Sequence, residues 1–181
     1  ILIIGANGQL GRQMQKALTA RGLEYAAYDY PEIDITQPDS VRELMEAVKP
    51  RAVVNCAAYT QVDRAETNEE TAYRVNALGP KNLAQVCADA GAELVHVSTD
   101  YVFSGEPPMR DGRPRPYVET DPCGPVTAYG RTKLAGEQLA QQHCDRLYIL
   151  RTAWLYGDGH NFVRTMLRLA EPRDKISGVS D

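Results

Sequence analysis

Ile1-Leu2-Ile3-Ile4-Gly5-Ala6-Asn7-Gly8-Gln9-Leu10-Gly11 opens the chain, and its reading decides the fold. A continuous aliphatic, largely β-branched run describes a strand buried on both faces, as in a parallel sheet. The glycines that follow, spaced GxxGxxG, turn the backbone. Leu10, Met14, Ala17 and Leu18 then recur at helical spacing until Gly22. Strand, glycine turn and helix start together make a phosphate cradle. Glycines let the backbone approach a pyrophosphate, while the helix N-terminus offers free N–H groups and a positive dipole end. The spacing departs from the dinucleotide fingerprint GxGxxG, but the flanking strand and helix supply the context that fingerprint requires.

Working outward, the same alternation continues. Residues 23–28 read as a second strand ending at Asp29. A carboxylate about 20 residues past the glycines hydrogen-bonds an adenosine ribose 2′-OH and repels a 2′-phosphate, which favours NAD. Arg12 can offset that repulsion, so the choice of NAD or NADP stays open, and a plain turn residue is the alternative reading of Asp29. Asp34-Ile35 falls in a loop near the expected adenine. Pro38 suits a first helical position, with Val41, Leu44, Met45 and Val48 as the buried stripe. Residues 52–58 form a third strand ending in Ala57-Ala58, small side chains that admit a flat ligand or simply pack well. Thr67-Asn68-Glu69-Glu70 reads as a capping box opening a helix that Pro80 kinks or divides, with Asn76 as a surface amide.

A fourth strand over residues 93–98 leads into Ser98-Thr99-Asp100-Tyr101-Val102-Phe103. Hydroxyls at a central strand's C-terminal end lie where open α/β sheets bind ligands, so Thr99 is placed to donate to a carbonyl. His96 reads as a core residue. Residues 104–126, rich in Gly, Pro and Arg, form a long loop of the kind that often serves as a lid. Thr127 is an N-cap for the next helix. Tyr129 and Lys133 on that helix are one turn apart on one face. An ammonium beside a phenol lowers the tyrosine pKa and makes Tyr129 a general acid. Alone, the YxxxK pattern more often describes an exposed pair on an ordinary amphipathic helix. Residues 147–150 are a fifth strand, followed by Arg151-Thr152-Ala153-Trp154, where Trp154 stacks on a base or sugar or fills the core. Residues 161–170 are one more helix, and the chain closes on the short run 176–181.

Composition bounds the function. The chain has 181 residues, enough for one domain with a sizeable core. A net charge of −4 provides no basic field for nucleic acid, and no apolar run reaches the length of a membrane span. Cys56, Cys87, Cys123 and Cys144 lack ligand spacing, so free thiols in a reducing cytoplasm are expected, with no metal site. The expected fold class is α/β, a doubly wound parallel sheet of Rossmann type.

With GANGQLG, STDYVFSG and YGRTK in this order, the chain resembles the extended short-chain dehydrogenase/reductases. Asn55-Cys56-Ala57-Ala58-Tyr59-Thr60-Gln61-Val62-Asp63-Arg64-Ala65-Glu66, STDYVF and Arg151-Thr152-Ala153-Trp154 narrow the resemblance to the dTDP-4-dehydrorhamnose reductase branch. That resemblance implies NADPH- or NADH-dependent reduction of the C4 carbonyl of dTDP-4-dehydro-L-rhamnose, in dTDP-L-rhamnose synthesis. It implies Thr99, Tyr129 and Lys133 as catalytic residues, and Tyr101 and Trp154 beside Thr99 and Tyr129 at the sugar. It implies Gly5, Asn7, Gly8, Gln9, Leu10, Asp29, Asp34, Ile35, Ala57, Ala58, Tyr59, Tyr129 and Lys133 as cofactor contacts. The substrate partner is a nucleotide sugar, and a homodimer is left open. Members of the branch continue past residue 181, so residues 1–170 are expected to be the dinucleotide-binding domain. Residues 171–181 would begin a substrate-binding domain largely absent from this chain. A nucleotide-sugar epimerase or other reductase is an alternative, as is a dinucleotide-binding regulatory subunit like that of methionine adenosyltransferase. Tyr101 after Asp100, where dehydratases carry an acidic pair, argues against a dehydratase.

Overall fold

The computed structural model describes residues 1–159 and 161–171. The run 176–181 and nearly all of the segment assigned to a second domain lie outside the described residues. A five-stranded parallel sheet forms the centre, built from β1 (Leu2–Ile4), β2 (Ala26–Tyr28), β3 (Ala52–Asn55), β4 (Glu93–Thr99) and β7 (Leu147–Thr152). A two-stranded ribbon, β5 (Met109–Arg110) and β6 (Arg113–Pro114), stands apart from it. The sheet order is β2-β1-β3-β4-β7, so the chain reverses direction across the sheet between β1 and β3. Crevices outside the strands' carboxyl ends at such a reversal are where doubly wound sheets bind ligands.

The helices are α1 (Gln9–Ala20), α2 (Pro38–Val48), α3 (Val62–Ala65), α4 (Glu69–Tyr73), α5 (Gly79–Ala90), α6 (Ala128–His143) and α7 (Phe162–Ala170). All of β1 is buried, as its unbroken aliphatic run requires. Leu2 and Ile4 join Val41, Met45, Val53, Leu83 and Leu94 in the main core between the sheet, α2 and α5. Strand β2 is shorter than expected. Leu23 N–H donates to Leu18 O (3.0 Å) and Gly22 N–H to Thr19 O (3.0 Å), so these residues close the end of α1. At the other edge β4 and β7 run longer, paired as far as Thr99 with Thr152.

Two expectations around residue 70 are corrected. Thr67 does not form a capping box: its hydroxyl donates to Arg64 O (3.2 Å), and α4 begins at Glu69 without a side-chain cap. Pro80 does divide the helix, but through one π-helical turn, Arg74–Leu78, before α5 starts at Gly79. Asn76 inside that turn is buried, not a surface amide. Its Oδ1 accepts from Tyr59 N–H (2.8 Å), and its Nδ2 donates to Tyr59 O (3.0 Å) and Thr132 Oγ1 (3.2 Å). The amide thus ties the loop after β3 to α6. Gly136 permits the contact, since a Cβ there would lie 2.0 Å from Asn76 O. Asn76→Ala strands the half-buried Tyr59 N–H and C=O and costs about 1–3 kcal/mol of stability. Denaturant midpoints check this, and an unchanged midpoint would mean that the tie is dispensable.

The long excursion over residues 104–126 is braced. Arg115 pairs with both carboxylate oxygens of Asp121 (2.7 and 2.6 Å), and Tyr117 stacks on Phe103 with ring centroids 4.2 Å apart. Arg115 and the Val118 N–H pull the Asp121 carboxyl down to about 2. Among the described residues, no helix is long and apolar enough to cross a membrane.

Candidate active site

The carboxyl ends of the strands open into a cavity of about 660 Å³. At one end lies the glycine loop. Gly5 has φ +79°, and a Cβ there would stand 2.6 Å from Ala57 N; a Cβ on Gly11 would stand 2.2 Å from Gly5 O. Glycine is therefore required at both positions: it lets the loop lie against the chain leaving β3 and lets α1 start against the loop. Gly8, Gln9 and Leu10 line the cavity at the start of α1, where backbone N–H groups are free of helical partners.

Asp29, at the end of β2, also lines the cavity. Its carboxylate accepts from Asn7 N–H (2.7 Å) and Tyr30 N–H (2.8 Å), latching the glycine loop to β2. Asn7 itself contributes this latch and is not part of the lining. Asp34 and Ile35 line the same end, with Asp34 Oδ1 accepting from Thr36 N–H (2.9 Å) and Thr36 Oγ1 (2.8 Å). Ala57 and Ala58 form a wall of small side chains. Tyr59 is not among the lining residues: it packs against the small cluster of Ala65, Ala72 and Ala128. The guanidinium of Arg12 lies beside Gly159.

Thr99, Tyr129 and Lys133 converge at the other end. Thr127 caps α6 by accepting from Gly130 N–H (3.0 Å), which sets Tyr129 in the first turn and Lys133 in the next. Thr99 Oγ1 donates to Asp100 Oδ1 (3.0 Å) and accepts from Tyr101 N–H (3.2 Å), and it lines the cavity together with Tyr129. Tyr101 meets Tyr129 edge-on at 5.5 Å. Trp154 is 61% exposed at φ +52°, so it is no core residue; it lines the cavity and meets Phe162 edge-on at 4.7 Å.

The electrostatics differ from the sequence reading. Lys133 Nζ donates to Val97 O (2.7 Å) and is not hydrogen-bonded to the Tyr129 hydroxyl. The Tyr129 pKa is raised, chiefly by burial; the Thr99 hydroxyl opposes this, while Asp100 and Tyr101 add to it. An i,i+4 spacing sets which face a side chain occupies, whereas burial decides here which protonation state is favoured. The phenol therefore stays protonated around neutral pH, the form a proton donor needs. Burial brings Lys133 down to about 8, with Glu137 opposing.

Ser98, one of the hydroxyls expected at the end of β4, and Glu137, which the sequence reading missed, complete the surroundings. Ser98 Oγ is buried beside the cavity and has no hydrogen-bond partner, a state that calls for a ligand atom or water. Glu137 is buried one turn beyond Lys133, and Arg151 holds it through Nη2 to Oε2 (2.6 Å) and Nε to Oε1 (3.0 Å). The step 129, 133, 137 along one helix face was the available signal. A glycine cradle that any Cβ would fill, a carboxylate at the end of β2 and an orphaned hydroxyl under the far end together fit a dinucleotide.

Known proteins share this sequence pattern and fold. A curated dTDP-4-dehydrorhamnose reductase of Mycolicibacterium smegmatis is 46% identical over 100% of this chain and 54% of its own length. A crystal structure of a dTDP-4-dehydrorhamnose reductase from Clostridium acetobutylicum superposes with TM-score 0.90 at 47% identity, covering 97% of this chain and 60% of that one. The reductase of Bacillus anthracis, solved in complex with NADP, gives TM-score 0.89 at 41% identity, with 97% and 60% covered. This chain thus spans little more than half the length of these relatives. The model of one family, described as the RmlD substrate binding domain, matches residues 1–181, and the chain belongs to that family.

Proposed function

We propose that the chain carries the cofactor site and proton-donating residues of an NAD(P)H-dependent dTDP-4-dehydrorhamnose reductase, with residues 1–170 as its dinucleotide-binding domain. One observation carries the reading: a single cavity joins the glycine cradle to Thr99, Tyr129 and Lys133. The B. anthracis relative solved with NADP supports the cofactor class. When bound, the nicotinamide supplies hydride for the C4 carbonyl of dTDP-4-dehydro-L-rhamnose.

The chain's own residues bind, orient and move a proton. The N–H groups at the start of α1 receive the pyrophosphate, Asp29 accepts from the adenosine ribose, and Ala57 and Ala58 leave room for the flat rings. Tyr129 donates its phenolic proton to the carbonyl oxygen as negative charge develops there, and Thr99 turns its one hydroxyl proton from Asp100 to donate to the same oxygen. Lys133 keeps a positive charge next to that oxygen and the cofactor ribose. Tyr101 and Trp154 flank the sugar. The reaction belongs in the cytoplasm, where reduced thiols and NAD(P)H occur together. Steady-state oxidation of NADPH by the full-length protein with the 4-keto sugar nucleotide tests the reading. No substrate-dependent oxidation above background would end it.

Two predictions follow the charges. Lys133 is brought to about 8, so it is an ammonium below that pH and a neutral amine above. Hence kcat/KM, which reports free-enzyme ionisations, falls as pH rises through about 8. A flat profile to pH ~10, nearer lysine's ordinary range, would show that this charge is not used. Asp29→Asn keeps an oxygen for the Asn7 latch but removes the charge that repels a 2′-phosphate. The NADPH-to-NADH ratio of kcat/KM should rise about tenfold, corresponding to about 1.4 kcal/mol. An unchanged ratio would mean that Asp29 serves only as the latch.

A further inference from the structure

Three buried polar side chains stand in a row beneath the cavity: Asn55 at the end of β3, His96 opposite it on β4, and Lys133 on α6. Asn55 Oδ1 accepts from Ala57 N–H (3.1 Å), which fixes the amide: its Nδ2, a donor only, faces His96 Nδ1 at 3.2 Å. Nδ1 must then be the bare, accepting nitrogen, so the ring proton is on Nε2. Burial and the neighbouring ammonium both press the His96 pKa well below its ordinary value, so the ring stays neutral. Its Nε2–H therefore points at Lys133 Nζ, 3.5 Å away, where an ammonium has only donors to offer. The long separation is that of two groups without a shared acceptor.

We propose that His96 is a positioning residue for Lys133: locked by Asn55 as the Nε2–H tautomer, it denies the ammonium a second acceptor inside the protein. An ammonium has three donors, and one goes to Val97 O, so two remain for whatever the cavity binds. A ring of the opposite tautomer would accept one of them and turn Lys133 inward. The charged groups around the array are Lys133 itself and, one turn further along α6, Glu137, whose carboxylate is held by Arg151. What Lys133 does with its two N–H bonds rests on the proposed reductase reading; the tautomer of His96 does not.

Nitrogen NMR of the full-length protein, labelled with ¹⁵N in the histidine rings and assigned with His96→Phe, reads the tautomer without substrate. His96 should show a bare Nδ1 and a protonated Nε2, unchanged from roughly pH 6 to 8. A protonated Nδ1, or a ring that becomes cationic in that range, overturns the proposal. Asn55→Asp supplies the second readout. One carboxylate oxygen keeps Ala57 N–H and the other accepts from Nδ1–H, which flips the ring and gives Lys133 an acceptor at Nε2. The tautomer should invert, the alkaline limb of kcat/KM should move up by about 1–3 pH units, and cofactor Kd should rise about tenfold. A flipped ring with unmoved limb and affinity would refute the positioning role. If the variant does not fold, the native spectrum still decides. Failure of the reductase assay with the Nε2–H tautomer observed would remove only the proposed reaction.

Discussion

Tyr129→Phe in the full-length protein lowers kcat by about 10²-fold or more while cofactor affinity stays nearly constant. The variant keeps the ring that packs against Ala65, Ala72 and Ala128 and the edge contact with Tyr101, and loses only the hydroxyl. In the proposed reaction, what disappears is the proton for the developing alkoxide. Because burial holds the phenol protonated, its loss removes a donor already in the correct state at neutral pH. Steady-state kinetics combined with a fluorescence titration of NADPH separates the two effects. Turnover near wild type would remove Tyr129 from the reaction. A Kd that rises in parallel with the fall in kcat would make it a binding residue instead.

Gly5→Ala acts on the opposite end of the cavity and is expected to be the more damaging to structure. At φ +79° an alanine is strained, and its Cβ would overlap Ala57 N at 2.6 Å and the Cys56 carbonyl carbon at 2.8 Å. Left-handed strain and overpacking together cost about 3 kcal/mol or more. The obstacles are backbone atoms, which cannot rotate aside as a side-chain tip can. Relief would require the glycine loop to lift from the chain after β3, carrying the start of α1 away from the pyrophosphate position. Denaturant midpoint and NADPH affinity should therefore fall together. A stable variant with native affinity would mean that the loop tolerates a side chain and that the cradle is not the binding element.

The parts legible in the sequence were those set by neighbours along the chain. The aliphatic run, glycine turn and helix of residues 1–20 announce themselves within a few residues, and the structure keeps them as β1, loop and α1. Thr127 as a cap and Pro80 as a break are equally local, and both hold. What escaped depends on contacts made far along the chain. Asn76 is bound to Tyr59 and Thr132, 17 and 56 positions away, so nothing beside it marks it as buried. The direction of the Tyr129 shift follows from burial against other elements, which spacing on one helix does not encode. Tyr59 left the cavity lining for the same reason: a small apolar cluster around Ala65, Ala72 and Ala128 takes its ring. Thr67 failed as a cap because a competing backbone acceptor, Arg64 O, lay within reach.

In the proposed reaction, hydride and proton meet on one carbonyl carbon and its oxygen between the glycine cradle and Tyr129. Transfer of label tests it most directly. The full-length protein is given dTDP-4-dehydro-L-rhamnose and NADPH deuterated at the transferring C4 position, and the sugar product is examined by NMR. The expected product is dTDP-L-rhamnose carrying one deuterium at C4, with strongly reduced formation of it by Tyr129→Phe. Deuterium retained in the cofactor, or a product with unlabelled C4, would contradict it.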